Sequence, residues 1–378
     1  MKIGILTQPF SNNYGGVLQN YALQTVLKRQ GFEPVTINSY FKPKLPLRLM
    51  LTLLKRCFMK YILKKNIVVR VWPSRKEREI INQHFNRFVG KYICTTDSIH
   101  SKIKYEKLQK YSFDAFIVGS DQVWRPRFSP YLTNYFLDFL EGKHNIKKIA
   151  YATSFGVDKW EFTPQQTQKC LPLVKQFAAI SVRETSAIAL CRKYLDVDAV
   201  QVLDPTLLLK REDYLLLIEQ ENIPKKENLL FTYILNSNKE TDRIIKDISS
   251  KLLLNIGSGM PPNFLHLKKS KKDLNDCIYP SILQWLAGFR DAKFVVTDSF
   301  HGTVFSIIFN KPFLVFANKN RGNTRFDSIL KLFHLENNLI TCDAIDSYLC
   351  KPDFTEVNTI LKREQEKSLK FLTDALKN

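Results

Sequence analysis

The stretch from Ala292 to Phe316, which reads AKFVVTDSFHGTVFSIIFNKPFLVF, places the strongest constraint on the fold of this chain. Residues 294–296 form a short β-branched and aromatic run without polar alternation, which is typical of a strand buried on both faces of a parallel sheet. Apolar residues then recur at helical spacing from Val304 to Phe309. Lys311-Pro312 ends this helix before a second buried run, because the residue before a proline disfavours helical geometry. The pattern predicts a β-α-β unit and therefore an α/β fold.

His301 and Gly302 follow the first of these strands and open the helix. Open α/β sheets bind ligands at the carboxyl ends of their strands, and the free N–H groups of a helix amino terminus attract anions. Gly302 carries no Cβ, so a ligand can approach the backbone closely there. His301 could instead only cap the helix, and Gly302 only make the turn. The neighbouring Asp298 and Ser299 favour a functional site.

The beginning of the chain repeats the order strand, glycine-containing loop, helix and strand. Ile3 to Leu6 is a short apolar strand, Asn12 to Gly16 is a turn, and a helix with one apolar face follows from Val17 to Leu27. The loop resembles a nucleotide cradle, but it lacks both the GxGxxG spacing and the lysine of a GK[ST] motif. Two interpretations of this loop stay open, a tight turn into a helix and a contact with a ligand.

Two further polar residues stand at the carboxyl ends of predicted strands. Asp121 follows the strand at 113–118, where it could accept a proton, bind a hydroxyl or cap a helix. Arg183 follows the strand at 179–182, and arginine is the residue best suited to forked recognition of a carboxylate or phosphate. The alternative to such a ligand is an ion pair between Arg183 and the adjacent Glu184.

The segment from Lys42 to Arg78 is almost entirely positive, with Glu77 its only acid, and Leu47 to Leu63 within it is rich in Leu, Met, Phe and Tyr. A basic amphipathic helix of this kind can lie on an anionic membrane. The alternative is an ordinary core-facing helix with a solvated basic side. Its apolar runs are too short to cross a bilayer, which takes about 18 apolar residues.

Length and charge bound the remaining possibilities. The chain has 378 residues, which favours about two domains, and a formal charge of +21. This excess favours acidic partners such as phosphorylated substrates, anionic lipid surfaces or nucleic acid, but the chain has no recognisable RNA-binding or zinc-finger motif. Its seven cysteines include no CxxC pair, which fits reduced thiols in a cytosolic protein. The amino terminus is interrupted too soon for a signal peptide, so we expect a cytoplasmic location.

A polar, highly charged stretch after Leu209 marks the expected domain boundary. We therefore predict an N-terminal domain over residues 1–209, with a basic amphipathic insertion at 42–78, and a C-terminal domain over residues 210–378. A terminal helix at Glu364 to Leu376 is expected to pack back across the molecule.

Five short motifs follow one another along the chain. They are Asn13-Tyr14-Gly15-Gly16 leading into Gln19-Asn20-Tyr21-Ala22-Leu23, then Gly119-Ser120-Asp121-Gln122-Val123-Trp124, Ser181-Val182-Arg183-Glu184, Asp204-Pro205-Thr206 and Thr297-Asp298-Ser299-Phe300-His301-Gly302. Together they resemble the polysaccharide pyruvyl transferase family. The resemblance implies a GT-B-like fold, in which two Rossmann-like domains face each other across a cleft and the N-terminal one holds the acceptor. Characterised members move a pyruvyl group from phosphoenolpyruvate onto a sugar, usually as a cyclic ketal across two hydroxyls.

By this resemblance His301, Asp121 and Arg183 are expected to carry catalysis and donor binding. Arg183 and the helix terminus at Gly302 would hold the anionic groups of phosphoenolpyruvate, His301 would handle a proton, and Asp121 would act as base on a sugar hydroxyl. No step requires a cofactor or a metal, and the chain shows no cluster with metal-ligand spacing. The expected substrate-binding residues are Asn13, Tyr14, Gly15, Gly16, Gln19, Ser120, Trp124, Ser299, Phe300, Gly302 and Arg325, the last of which ends a basic loop at 321–325.

The sequence therefore predicts a cytoplasmic transferase that adds a pyruvyl group to a glycan or a lipid-linked oligosaccharide in bacterial exopolysaccharide or capsule biosynthesis. An anionic membrane surface is a further expected partner, and nucleic acid is not. One alternative is a GT-B glycosyltransferase with a nucleotide-sugar donor in the same cleft. The other is a basic membrane- or nucleic-acid-binding protein, which the ordered polar residues at strand ends disfavour.

Overall fold

The computed structural model describes residues 1–40, 47–65, 69, 73–100, 102–262, 274–317, 324–340 and 352–377, and these form two parallel sheets. The strands of the first sheet are β1 (Lys2–Leu6), β2 (Glu33–Thr36), β3 (Ala115–Gly119), β4 (Lys147–Thr153), β5 (Ala179–Val182) and β6 (Val200–Gln201). They lie in the order β2-β1-β3-β4-β5-β6, with every neighbouring pair parallel. All their carboxyl ends therefore meet at one edge.

The second sheet contains β7 (Leu229–Tyr233), β8 (Asn255–Ser258), β9 (Ala292–Thr297), β10 (Phe313–Phe316) and β11 (Leu339–Ile340). Its order is β11-β10-β9-β7-β8, again with parallel neighbours. Every residue of β9 except Lys293 is buried, which explains why its sequence shows no polar alternation. The α/β class predicted from the β-α-β pattern is confirmed.

α-Helices connect most of these parallel strands, and between β3 and β4 the chain forms only short 3-10 turns. The α-helices are α1 (Tyr14–Arg29), α2 (Leu47–Cys57), α3 (Arg75–Ile81), α4 (Gln83–Tyr92), α5 (Pro164–Val174), α6 (Thr185–Leu190), α7 (Arg211–Glu219), α8 (Lys239–Leu252), α9 (Ile282–Asp291), α10 (Phe300–Ile308), α11 (Thr324–Leu332) and α12 (Phe354–Lys377). The unit β9-α10-β10 occupies the stretch from which the β-α-β pattern was predicted. Residues 321–323 of the predicted basic loop lie outside the described residues, and Arg325 belongs to the first turn of α11.

The two halves of the chain share a hydrophobic core, and Tyr14 of the first half contacts the second half directly. Its ring stacks on Trp285 with centroids 4.9 Å apart, and its hydroxyl donates a hydrogen bond to the carbonyl oxygen of Pro280 at 2.7 Å. Tyr14 is fully buried. Its role in the structure is to hold α1 against α9, which links the two halves of the chain through side-chain packing.

The terminal helix α12 is longer than the predicted 364–376, because Val357 and Ile360 continue its buried face towards the amino end. It contacts the first half of the chain. Ser368 Oγ accepts a hydrogen bond from the N–H of Leu203 at 3.0 Å, and Lys147 Nζ donates to the carbonyl oxygen of Leu376 at 3.0 Å.

Helix α2 continues into a π-helical turn at Phe58–Ile62, and we name residues 47–65 the basic segment. None of its side chains described from Met50 to Lys65 is buried. The alternative of a core-facing helix is therefore wrong for these residues. Among the helices described, none is long and apolar enough to cross a membrane.

Candidate functional site

A cavity of about 650 Å³ lies between the carboxyl ends of the two sheets. Loops after β1 and β3 form one wall, while residues after β7, β8 and β9 and the start of α11 form the other. Carboxyl ends of parallel strands are where open α/β sheets place their ligands. The volume falls within the range of about 300–1,000 Å³ that small-molecule sites occupy.

A buried carboxylate, Asp204, lies at the centre of the polar residues beside this cavity. Its Oδ2 accepts hydrogen bonds from Arg183 Nη1 at 2.8 Å and Ser120 Oγ at 2.9 Å, and it lies 3.6 Å from His301 Nε2. Its Oδ1 accepts from the backbone N–H and the hydroxyl of Thr206 at 3.0 and 2.7 Å. Residues from four of the five sequence motifs therefore meet at one carboxylate.

The charge of Asp204 is stabilised by its neighbours. Burial by itself would raise the pKa of this carboxyl, since a charge loses its hydration in the interior. The His301 ring and the Arg183 guanidinium outweigh burial and hold the pKa of Asp204 well below its usual range. Arg183 follows β5 in the first sheet and His301 follows β9 in the second. The 3.6 Å between Asp204 Oδ2 and His301 Nε2 is longer than a hydrogen bond, so Asp204 acts on the imidazole as a nearby negative charge.

His301 stands in the first turn of α10 and packs on the backbone of α1. A Cβ at Gly15 would lie 1.9 Å from His301 Nδ1, so only a glycine leaves room for the ring. A Cβ at Gly302 would lie 2.1 Å from Thr297 Oγ1. In the structure both glycines are therefore needed for close packing that positions His301, and neither lines the cavity.

We expect Gly15→Ala to displace the His301 ring and to lower the free energy of unfolding by about 1–3 kcal/mol, the usual cost of overpacking. Urea unfolding followed by circular dichroism measures this change. Gly90→Ala in α4 is the matched control, because a Cβ there meets no atom within 4 Å. Alanine at such a helical position stabilises by about 0.5–1 kcal/mol. Equal stability of the two variants would contradict the contact between Gly15 and His301.

Two buried guanidinium groups lie near the ring of Phe300, which lines the cavity. Arg183 Cζ is 4.3 Å and Arg325 Cζ is 5.9 Å from the ring centroid. Burial and the like charge of Arg183 lower the pKa of Arg325 to about 10. Arg325 lines the cavity directly, whereas Arg183 packs on the Phe300 ring and does not line the cavity. An anion in the cavity would relieve this crowding of positive charge.

Asp121 lines the cavity at the carboxyl end of β3. Its backbone φ is 76°, a strained value for a residue other than glycine. Its Oδ1 accepts a hydrogen bond from the N–H of Gln122 at 2.8 Å, and its Oδ2 accepts from Asn13 Nδ2 at 3.4 Å. Residues 121–131 are all described and contain no helix, so the alternative that Asp121 caps a helix is wrong.

Asn13 connects this carboxylate to α1. As the residue that caps α1, its Oδ1 accepts a hydrogen bond from the N–H of Gly16 at 3.2 Å. One side chain thus holds the helix terminus with its oxygen and contacts Asp121 with its nitrogen. The loop that resembles a nucleotide cradle serves here to position a carboxylate at the cavity.

The structure brings six of the predicted site residues to the cavity, whereas the other eight do not line it. Trp124 is a core residue, because its ring stacks on Phe136 and its Nε1 donates to the carbonyl oxygen of Tyr135 at 2.9 Å. Gln19 donates to Thr7 Oγ1 at 2.9 Å and supports the loop after β1. The lining residues are Asn13, Asp121, Ser299, Phe300, His301 and Arg325, and those that do not line the cavity are Tyr14, Gly15, Gly16, Gln19, Ser120, Trp124, Arg183 and Gly302.

The sequence-based site lacked Asp204, although Asp204-Pro205-Thr206 was one of the five motifs and was a sufficient signal. It also lacked Arg125 and Arg127, which both line the cavity. Arg125 is held by Glu161 through two hydrogen bonds of 2.9 and 3.0 Å. Arg125 and Arg127 stand six and eight residues after Gly119, the last residue of β3, and this sequence position does not predict which way their side chains point.

Fold and site together define a GT-B-type α/β protein with a basic cavity between its two sheets. The fold is similar to that of UDP-GlcNAc 2-epimerase from Neisseria meningitidis bound to UDP-GlcNAc, with a TM-score of 0.50 and 10% identity over 100% of this chain and 99% of that one. It is also similar to UDP-N-acetylglucosamine 2-epimerase from Rickettsia bellii, with a TM-score of 0.51 and 11% identity over 99% and 96% of the two chains. At such identity these likenesses show the fold alone.

The family is shown by the sequence itself. Residues 13–320 match the family described as polysaccharide pyruvyl transferase, and the chain belongs to that family. No curated individual protein matches the sequence. The matched range contains all five motifs and with them Ser120, Arg183, Thr206 and His301, which surround Asp204.

Proposed function

We propose that this protein transfers a pyruvyl group from phosphoenolpyruvate to hydroxyls of a glycan or lipid-linked sugar in bacterial surface polysaccharide biosynthesis, forming a ketal. The observation that carries the proposal is the meeting of Arg325 and His301 at one cavity beside the amino terminus of α10. Membership of a transferase family supports the reaction class.

Phosphoenolpyruvate carries a carboxylate and a phosphate, so its site needs fixed positive charge and N–H donors. Arg325 supplies the charge at the wall, and Arg127 adds an exposed guanidinium. The first turn of α10 supplies N–H groups without intrahelical partners. Nε and Nη2 of Arg183 are buried and have no partner among the described residues, so an anion that reaches past Phe300 would meet a fork.

The proposed transfer balances without a further reactant. Carbon C3 of phosphoenolpyruvate gains a proton and becomes a methyl group, while C2 forms bonds to two hydroxyl oxygens and releases phosphate. One of the two hydroxyl protons goes to C3, and the other leaves with the phosphate. We assign the proton donation to His301, since an imidazole can give a proton near neutral pH, and the activation of the hydroxyl to Asp121.

Ligand-induced stabilisation tests the donor. We expect phosphoenolpyruvate at about 100 times its Kd to stabilise the protein by about 2.7 kcal/mol, while UDP-glucose and UDP-GlcNAc at the same concentration have no effect. Release of phosphate from phosphoenolpyruvate in the presence of a bacterial glycan fraction tests the transfer. Stabilisation by the UDP-sugars but not by phosphoenolpyruvate would favour a glycosyltransferase instead.

Arg325→Ala should weaken phosphoenolpyruvate binding by about 1.5–3 kcal/mol, the range for hydrogen bonds to charged groups. Arg325→Lys should recover only part of this loss, because an ammonium cannot make the fork. Isothermal titration calorimetry measures both affinities. Arg192→Ala, at a guanidinium whose side chain is 78% exposed, is the control and should leave affinity unchanged. An unaltered Kd in folded Arg325→Ala would remove Arg325 from the donor site.

A further inference from the structure

The basic segment presents a continuous apolar stripe to solvent. Met50, Leu51, Leu54, Phe58 and Tyr61 follow one another at spacings of one, three, four and three residues, which keeps them on one side of a helix. Their exposed fractions are 47, 59, 66, 51 and 70%. A helix of a folded domain normally buries such a stripe against the core. Here the stripe faces outward.

The charges beside this stripe are of one sign. Residues 47–65 contain no acid and six bases, which are Arg48, Lys55, Arg56, Lys60, Lys64 and Lys65. A second copy laid on the stripe would bring twelve like charges together, since each copy contributes six. Nucleic acid would match the charge but would leave the apolar stripe in water. An anionic bilayer matches both, because its headgroups attract the lysines while its acyl boundary takes up the apolar side chains.

We propose that the basic segment docks this protein on an anionic lipid bilayer, with the stripe in the headgroup–acyl boundary. The segment follows β2, while residues after β1 and β3 line the cavity. These three strands are parallel neighbours, so their carboxyl ends share one edge of the sheet. The chain that leads to the basic segment therefore leaves the sheet at the same edge as the loops that line the cavity. The inference is independent of the reaction, because it rests on the surface alone.

Vesicle flotation of the full-length protein tests the docking. We expect binding to vesicles of phosphatidylglycerol and phosphatidylethanolamine, release by about 0.5 M salt through screening of the headgroup attraction, and no binding to phosphatidylcholine vesicles. Two variants address the two parts of the surface. Leu51→Ser with Leu54→Ser removes apolar side chains, and the quadruple Lys→Gln variant at 55, 60, 64 and 65 removes charge. With about 1 kcal/mol for each lysine, the quadruple variant should bind at least about 100-fold more weakly.

Matched controls separate docking through the basic segment from the general attraction of any basic protein to anionic vesicles. A second quadruple Lys→Gln variant, at the exposed Lys169, Lys193, Lys362 and Lys370, removes the same charge elsewhere. Leu216→Ser removes an apolar side chain that is 62% exposed on α7. Both controls should bind like the wild type. Equal losses in the two quadruple variants, equal binding to neutral vesicles, or absence of binding would each overturn the proposal. Dimerisation that only the Leu51→Ser, Leu54→Ser variant abolishes, without vesicle binding, would assign the stripe to a second copy.

Discussion

Asp204→Asn is expected to lower the free energy of unfolding by about 3–5 kcal/mol, because it removes one partner of a buried ion pair and leaves the other charge uncompensated. The side chain is fully buried and accepts from Arg183 at 2.8 Å and from Ser120 at 2.9 Å. Asparagine keeps the shape, so the loss reports charge and hydrogen bonding rather than a cavity. Urea unfolding followed by tryptophan fluorescence measures it.

A second variant tests whether the lost stability comes from the unpaired charge. Asp204→Asn leaves the buried guanidinium of Arg183 without its carboxylate partner. Adding Arg183→Met removes this guanidinium, so the double variant should be more stable than Asp204→Asn alone. Asp198→Asn, which breaks the exposed pair with Arg192, is the control and should change stability little. A double variant less stable than Asp204→Asn would show that Arg183 stabilises through other contacts.

The same carboxylate predicts how stability depends on pH. The pKa of Asp204 in the folded chain lies well below its unfolded value, so its contribution is fully present above that unfolded value of about 3.9. It is lost as the pH falls further towards the folded pKa. The gap in unfolding free energy between wild type and Asp204→Asn should therefore be present at pH 5 and shrink below about pH 4. A difference in unfolding free energy that widens below about pH 4 would contradict the assignment of a negative charge to Asp204 in the folded chain.

His301→Gln is expected to reduce turnover by about 10²- to 10⁴-fold, the usual contribution of a positioned acid or base. Glutamine keeps a polar side chain of similar reach but removes the nitrogen that titrates. The ring lines the cavity, packs on Gly15 and faces Asp204 Oδ2 at 3.6 Å, so it is held by contacts on two sides. Phosphate release from phosphoenolpyruvate, with the glycan fraction that supports it in the wild type, measures turnover.

The controls for His301 separate catalysis from folding. His334→Gln alters an exposed histidine paired with Glu356 and should leave turnover unchanged. Donor affinity of His301→Gln should stay close to that of the wild type, because the anion contacts assigned to Arg325 persist. The limb of the pH–rate profile that His301 supplies should disappear. Near-normal turnover in this variant would reduce His301 to a structural residue, and the proton would then come from Asp121 or water.

Local sequence was enough to predict the α/β class and the ends of strands at which the site lies. The buried run at 294–296, the proline at 312 and the helical spacing after Val304 each act within a few residues, so no tertiary contact was needed to read them. Polar residues directly after such strands meet at one edge in any parallel sheet. Asp121 and His301 were found in this way, and both line the cavity.

Tertiary structure alone decided which of these residues face the cavity and which lie behind it. Trp124 stands three residues after Asp121, yet its ring packs into the core, because burial of its apolar area stabilises the folded chain. Asp204 and His301 are far apart in sequence, and only the packing of the two sheets places them 3.6 Å apart. The basic segment shows the same difference between local sequence and tertiary structure. Its pattern predicted an amphipathic helix, but only the surrounding packing determined that the apolar stripe faces outward.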